Sequence, residues 1–197
     1  MKRNQIILLA CVTGVLFIAA SLLLYRMENR RQLLPIHYQV KDFSLTDSNG
    51  EAFDQSRLTG KVWVAAFVFS TCGDVCPRMS KNLASLHRSY ALTDDVAFVS
   101  VTVNPEYDDP KVLREYAQKY QADTRKWHFL TGPRENITEL MINSFKMGSM
   151  EEPIFHSTNF VLVDRKGYIR GYYDGMKQDD VNRLFKDIAA LLKERPR

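Results

Sequence analysis

Two cysteines four residues apart carry the most reactive side chains in this sequence. Cys72 and Cys76 lie in the segment STCGDVCP, residues 70–77, between an apolar run and an amphipathic pattern. If a strand ends and a helix begins here, both thiols lie near the free N–H groups and the partial positive charge of the helix start. That environment lowers the pKa of a thiol and favours the thiolate, which binds soft metals and attacks disulfides.

The spacing of the pair is CxxxC and not CxxC. Residues i and i+4 of a helix hold their side chains about 5–6 Å apart, whereas the Cβ atoms of a disulfide lie about 3.5–4.5 Å apart. A disulfide therefore requires Cys72 to lie just outside the regular helix, or the first turn to shift. Two thiolates that bind one metal ion at about 2.3 Å each tolerate the wider separation better. The pair suits both metal binding and a reversible disulfide.

Imidazole is a natural third donor for a metal ion held by two thiolates. His156 is the strongest candidate, because it follows a loop without clear periodicity, residues 146–155, and directly precedes an apolar strand. Met147 and Met150 in that loop are weaker candidates, since loop methionines more often serve packing. The remaining histidines are interpreted as ordinary surface or packed residues: His37, His87 and His128.

The residues around the cysteines predict the elements that position them. Residues 62–69 form an apolar run too short to cross a membrane and typical of a strand buried on both faces. After the cysteines, apolar residues recur at spacings of four, three and four, which indicates one face of a helix. These residues are Met79, Leu83, Leu86 and Tyr90.

Strands and helices alternate along the rest of the chain. The Asn-Gly pair at residues 49–50 predicts a hairpin before the apolar run. A βαβ core followed by a hairpin and a terminal helix predicts an α/β, thioredoxin-like fold with an extra N-terminal β-hairpin and a helical insertion. The later elements are a strand at 96–103, a helix from Asp108-Asp109-Pro110, a strand at 127–130, a helix with Ile137, Leu140, Met141 and Phe145, a hairpin at 159–173, and a helix with Val181, Leu184, Phe185, Ile188, Leu191 and Leu192.

The N-terminus predicts a membrane anchor. Residues 6–25 form an unbroken charge-free run, and about 20 apolar residues are enough to cross a bilayer as one helix. A cleaved signal peptide is the alternative, but the apolar run continues past the small residues 19–21 where cleavage would occur. We expect three regions: an uncleaved transmembrane anchor at 1–25, a linker at 26–40 and one globular domain at 41–197.

Composition limits the remaining function classes. The 197 residues, 45% hydrophobic and 25% charged, suffice for one domain and an appendage. The net charge of +4 is spread without a basic stripe, which argues against a nucleic-acid partner. Flanking charges do not decide the orientation of the anchor. The thiol chemistry instead favours a domain on the oxidising, extracytoplasmic side.

Four segments together resemble the Sco/SenC family over roughly residues 40–193. They are 69–77 with its CGDVCP motif, 101–108, 129–132 and 156–164. The resemblance implies a thioredoxin-like domain tethered by one membrane helix. It also implies copper binding, for delivery to the dinuclear copper site (CuA) of cytochrome c oxidase.

The resemblance also assigns roles to individual residues. Asp74 matches the acidic residue often found between the cysteines. The segment NPEYDD, residues 104–109, replaces the family's usual DPERDT, and Phe155 stands where an acidic or polar residue is frequent. These differences leave the implied copper ligands intact: Cys72, Cys76 and His156.

We expect a copper chaperone rather than a catalyst, with the copper-bearing subunit of cytochrome c oxidase or another copper protein as its partner. The alternative is a thiol–disulfide oxidoreductase that uses Cys72 and Cys76 to reduce the cysteines of a copper-site target. The two activities are compatible, because such a target must be reduced before loading. A purely structural disulfide is disfavoured, since a loop of about three residues constrains the unfolded chain little.

The expected location follows from the anchor and the thiols. The domain would face the periplasm or another extracytoplasmic space, or the intermembrane space if the protein is mitochondrial.

A peroxiredoxin is a weaker interpretation, because Phe69 stands three residues before Cys72, where that class has threonine.

Overall fold

The computed structural model describes residues 12–14, 16–21, 34–148 and 158–194. The chain divides into two compact units, Met1–Leu33 and Leu34–Arg197. The described residues of the first unit are helical. Within the described ranges, no helix is long and apolar enough to cross a membrane. The other residues of the predicted anchor lie outside the described part of the chain.

A seven-stranded mixed sheet runs through the second unit. Its strands are β1 (Ser44–Asp47), β2 (Ala52–Asp54), β3 (Val62–Val68), β4 (Val96–Thr102), β5 (Trp127–Thr131), β6 (Asn159–Val163) and β7 (Ile169–Asp174). The spatial order is β2-β1-β5-β4-β3-β6-β7. Strands β3, β4 and β5 are parallel, and all other neighbours are antiparallel. This arrangement confirms the predicted α/β class and both hairpins.

Four helices in the described part of the second unit accompany the sheet, and the first two of them connect the parallel strands. They are α1 (Val75–Ser89), α2 (Pro110–Lys119), α3 (Arg134–Glu139) and α4 (Gln178–Lys193), with a 3-10 helix at Gln55–Leu58. Helix α1 buries Met79, Leu83 and Leu86, and its C-cap residue Tyr90 is buried as well, as the spacing predicted. Helix α2 begins as predicted, with the Asp109 carboxylate accepting from the Val112 N–H at 2.8 Å and Pro110 in the first turn.

Strand β3 is buried along its whole length, as the apolar run predicted. Val62, Val64, Ala66 and Val68 face the core that contains α1, α2 and α4. The intervening residues Trp63, Ala65 and Phe67 face a second core on the other side of the sheet. Alternation of side chains between two cores fixes the strand from both faces.

The predicted third helix is shorter than its apolar pattern suggests. Helix α3 ends at Glu139, and Leu140–Ser144 continues as a π-helical turn. Its wider ring is closed by the Phe145 N–H donating to the Leu140 carbonyl at 3.0 Å. Phe145 then lies edge-on to Trp63 and Phe67, at ring distances of 5.9 and 5.4 Å. Packing against the sheet therefore overrides the regular helical period.

One buried and one half-buried histidine, His87 and His128, make the fold sensitive to acid. Burial lowers the pKa of His128, which lies 4.7 Å from the Phe53 ring, to about 4. Burial also lowers the pKa of His87, which packs against Phe98 and Trp127. A histidine in the unfolded chain has a pKa of about 6.5. Both rings are thus neutral in the folded state, and their stabilisation is present above pH 6.5 and lost as the pH falls through the folded-state value.

We expect the free energy of unfolding to decrease between about pH 6.5 and pH 4, because the unfolded chain binds protons that the buried rings do not. In His128→Gln, this decrease is smaller by about 2 kcal/mol, a value reduced for the partial exposure of the ring. Urea unfolding at several pH values measures it. The exposed His37→Gln is the control and keeps the wild-type slope; a wild-type slope in His128→Gln would contradict the prediction.

Candidate functional site

The cysteine loop leaves the sheet at the end of β3. Residues 69–74 connect β3 to α1, and Cys76 lies in the first turn of that helix. Cys72 is partly exposed, whereas Cys76 is buried with 3% of its surface accessible. Both are free thiols. Cys72 is therefore accessible from solvent, whereas Cys76 lies in the core.

The CxxxC spacing required Cys72 to lie outside the regular helix, or the first turn to shift, if the two sulfurs are to approach each other, and the structure has the first arrangement. Helix α1 begins at Val75 with Asp74 at the N-cap, so Cys72 lies outside the regular helix. The Cys76 N–H donates to the Cys72 sulfur at 3.3 Å. The Asp74 side chain makes no capping hydrogen bond. The Cys72 sulfur thus occupies the place of a capping acceptor, and it lies close to the second cysteine.

The two thiols differ in their tendency to ionise. Partial burial alone would raise the pKa of Cys72, but hydrogen bonds from the backbone N–H groups of Cys76, Asp74 and Val75 and from the Cys76 thiol outweigh it, and the pKa is lowered. Burial raises the pKa of Cys76 to about 12, with smaller contributions from Cys72 and from the negative charge of Asp108. Cys72 therefore ionises more readily than Cys76.

A buried carboxylate lies beside the cysteine loop. Asp108 has none of its surface accessible and accepts from the Ser70 N–H at 3.0 Å, the Ser70 hydroxyl and the Thr102 hydroxyl at 2.5 Å. The sequence places Asp108 in an acidic helix start and in the family-like segment 101–108. Its partner Ser70 is 38 positions away, so no local pattern indicates the contact with the cysteine loop.

The third predicted ligand, His156, lies outside the described residues. Within the described part of the chain, no group of three or more His, Cys, Asp or Glu side chains could hold a metal ion. The chain is described again from Thr158, whose carbonyl accepts from the Gly175 N–H at 2.7 Å. The Gly175 carbonyl in turn accepts from Asn82 of α1 at 2.8 Å.

Other sequence candidates are packed or remote from metal chemistry. The side chain of Met147 is buried in the second core, with 5% of its surface accessible, so packing is its role. Met150 lies outside the described residues. Each of the other three histidines contacts aromatic rings: His37 beside Tyr172, His87 beside Phe98 and Trp127, and His128 beside Phe53.

Comparison with known proteins places this domain in a family. The SCO1/SenC family model matches residues 35–193, which include the sheet, helices α1–α4 and both described cysteines. The chain belongs to the SCO1/SenC family. The resemblance noted from the sequence segments is confirmed.

Individual SCO1/SenC proteins are similar to this chain over most of their length. The SCO1 protein homolog of Bacillus subtilis (strain 168) is 30% identical over 167 residues, covering 81% of this chain and 86% of the relative. The solved structure of BsSco, a member of the Sco family of cytochrome c oxidase assembly proteins in which a disulfide switch was identified, is 30% identical. Its TM-score is 0.70, with 81% of this chain and 97% of that chain covered.

A copper-bound structure is also similar. Arabidopsis thaliana ScoI with copper bound is 25% identical, with a TM-score of 0.64 and coverage of 78% of this chain and 98% of that chain. These neighbours confirm that the α/β domain has the thioredoxin-like fold of Sco proteins.

The difference between the two thiols predicts selective alkylation. With excess iodoacetamide near neutral pH, Cys72 reacts faster than Cys76, because a pKa of about 12 leaves Cys76 a thiolate fraction roughly a thousandfold below that of an ordinary thiol. Fragment-ion mass spectrometry of quenched samples measures both sites. Urea-unfolded chain is the control, in which the two rates converge. Equal rates in the folded chain would contradict the predicted difference in ionisation between the two thiols.

Proposed function

We propose that this SCO1/SenC protein is a membrane-tethered copper chaperone that binds copper through Cys72, Cys76 and His156. It delivers the ion to the CuA site of cytochrome c oxidase, or to another copper protein. The observation that carries the proposal is the pair of free thiols that converge at the start of α1, one partly exposed and one buried.

The chemistry of the pair suits copper as cargo. Thiolates are soft ligands that favour Cu(I), and an added imidazole suits Cu(II). Binding requires Cys76 to release its proton, so uptake releases protons and strengthens as pH rises. The accessible Cys72 sulfur provides a site at which a partner's ligands exchange stepwise with those of the chaperone.

The course of β6 supports His156 as the third ligand. Strand β6 is antiparallel to β3, with Val161 opposite Ala65, so it begins at the end of the sheet where β3 delivers the cysteine loop. Thr158, two residues after His156, is linked through Gly175 to α1. The position of Thr158, two residues further along the chain, is the support for proposing His156 as the third ligand.

The proposed partner follows from the chemistry and the relatives. BsSco belongs to a family of cytochrome c oxidase assembly proteins, and ScoI of Arabidopsis thaliana binds copper. A dinuclear copper site with cysteine ligands must receive its copper while those cysteines are reduced. A carrier with two soft sulfur ligands can hold Cu(I) and can remain in its reduced form under the conditions that keep the target cysteines reduced.

We further propose that residues 1–25 anchor the protein in a membrane, with residues 26–40 as linker and residues 41–197 as the copper-binding domain. The support is the charge-free run at residues 6–25. The domain then lies on the periplasmic or other extracytoplasmic side, or in the intermembrane space of a mitochondrion, close to a membrane-bound oxidase.

A second candidate function is thiol–disulfide exchange. The lowered pKa of Cys72 beside the raised pKa of Cys76 is the asymmetry of a nucleophile and a resolving thiol. The Cys72 thiolate attacks a target disulfide and forms a mixed disulfide, releasing one target thiolate. Cys76 then gives up its proton and displaces the second target thiolate. Two electrons pass to the target, and Cys72 and Cys76 become a disulfide.

Copper binding by the full-length chain in detergent tests the first candidate. The reduced wild-type protein binds one Cu(II) and shows a thiolate-to-copper charge-transfer band. In His156→Ala the band shifts or weakens and the copper affinity falls by at least about tenfold, since a ligand is lost. His37→Ala, at an exposed histidine, is the matched control and retains the wild-type spectrum.

An unchanged band and affinity in His156→Ala would remove His156 as a ligand. A reduced chain that takes up no copper, yet rapidly reduces a model disulfide, would replace the chaperone function by the reductase function.

Membrane fractionation tests the anchor. The full-length chain is expected to sediment with membranes and to stay there through alkaline carbonate extraction, because a spanning apolar helix is held by the hydrocarbon core. The chain without residues 1–25 appears in the supernatant. A mature full-length product that is soluble and begins after about residue 21, as found by N-terminal sequencing, would show a cleaved signal peptide instead.

A further inference from the structure

We propose that Asp108 is a positioning residue that holds the cysteine loop so that the sulfurs of Cys72 and Cys76 converge. The proposal rests on the proposed function only in taking this pair as the reactive site. Asp108 acts through Ser70, two residues before Cys72.

The contacts of Asp108 join two chain segments at one end of the sheet. One carboxylate oxygen accepts from the Ser70 hydroxyl, and the other accepts from the Ser70 N–H at 3.0 Å and the Thr102 hydroxyl at 2.5 Å. Ser70 lies just after β3, and Thr102 is the last residue of β4. The carboxylate thus ties the loop that leaves β3 to the neighbouring parallel strand.

Hydrogen bonds within residues 102–108 hold the segment that carries Asp108. The Asp108 N–H donates to the Asn104 carbonyl at 2.9 Å, and the Asn104 N–H donates to the Thr102 hydroxyl at 3.0 Å. Asp109, the next residue, begins helix α2. Asp108 therefore has a fixed position between β4 and α2, and it can transmit that position to the cysteine loop.

The cysteine loop is otherwise lightly held on its outer side. A Cβ atom added at Gly73 would meet no atom within 4 Å. The Cys72 N–H reaches the Phe69 carbonyl at 3.3 Å. Three side chains around the loop also pack against the core that contains α1, α2 and α4: Phe69, Cys72 and Val75. Two charge-assisted hydrogen bonds to Ser70 are stronger than neutral ones, so the Asp108 contacts add a strong polar restraint immediately before Cys72.

Convergence of the sulfurs governs both activities of the pair. A disulfide or a shared metal ion forms readily only where the two sulfurs are held close together. Loosening the loop lowers their effective concentration. Loss of Asp108 is therefore expected to weaken both disulfide formation and copper binding, because the loss of sulfur convergence outweighs the small contribution of the Asp108 charge to the pKa of Cys76.

The test compares Asp108→Asn, Ser70→Ala and Asp109→Ala in the full-length chain. Each variant also carries Cys11→Ala, which removes the third cysteine of the sequence so that only Cys72 and Cys76 react. Asp108→Asn keeps the shape of the side chain but loses its charge and one acceptor. Ser70→Ala removes only the hydroxyl bond. Asp109→Ala, the matched control, removes the α2 cap at the adjacent residue and leaves the Asp108 contacts in place.

The first readout needs no copper. The reduced protein is equilibrated with oxidised dithiothreitol, which takes two electrons and two protons from Cys72 and Cys76 as the protein disulfide forms. Asp108→Asn lowers this equilibrium constant about tenfold, equivalent to a reduction potential about 30 mV higher. Ser70→Ala lowers it less, and Asp109→Ala keeps the wild-type value although its unfolding midpoint decreases.

The second readout is copper binding. Asp108→Asn lowers the Cu(II) affinity by about tenfold and shifts the charge-transfer band, whereas Asp109→Ala changes neither. Equal changes in Asp108→Asn and Asp109→Ala would reduce the effect to general destabilisation and overturn the proposal. So would wild-type values in both Asp108→Asn and Ser70→Ala.

Two further outcomes stay separable. If Asp108→Asn does not fold, Ser70→Ala decides alone: an equilibrium constant below that of Asp109→Ala supports the proposal, and an equal one overturns it. If the wild-type chain takes up no copper, the proposed chaperone function is wrong. The dithiothreitol equilibrium still tests whether Asp108 positions the cysteine loop, because it needs no copper.

Discussion

The complete burial of strand β3 is the constraint on which the candidate site depends. All seven residues of β3 are buried, and the strand pairs with β4 along its whole length and with β6 on its other edge. Burying one large apolar side chain contributes about 1.5–3 kcal/mol, so shifting this strand would cost as much as the net stability of a typical domain. The point where the chain leaves the sheet is therefore fixed.

A rigid strand ends in a lightly packed loop, and this contrast suits an exchangeable site. The sulfur of Cys72 is reached from solvent, while Cys76 is held in the core by α1. Identical side chains thus acquire opposite pKa shifts from burial and backbone N–H groups. A carrier needs both properties, because an accessible ligand allows transfer and a buried one limits premature loss.

Much of the fold follows from local sequence patterns. The apolar run of β3, the Asn-Gly turn at residues 49–50, and the spacing of buried residues in α1 were all predicted. The predictions were wrong where packing overrides a local period. The third helix becomes a π-helical turn after Glu139, and Phe185, predicted in the core, is 42% exposed beside Tyr90. The membrane anchor and the His156 ligand remain predictions.

The sequence by itself determined that two thiols meet a strand end and a helix start, because hydrophobic periodicity and residue spacing are local properties. It also determined family membership, through motifs that local reading can recognise. Only the tertiary structure decided which thiol is exposed and which residue supports the loop. Ser70 and Asp108 are 38 positions apart, and the parallel pairing of β3 with β4 brings them into contact. Contacts of that kind depend on how strands pair, which no single stretch of sequence encodes.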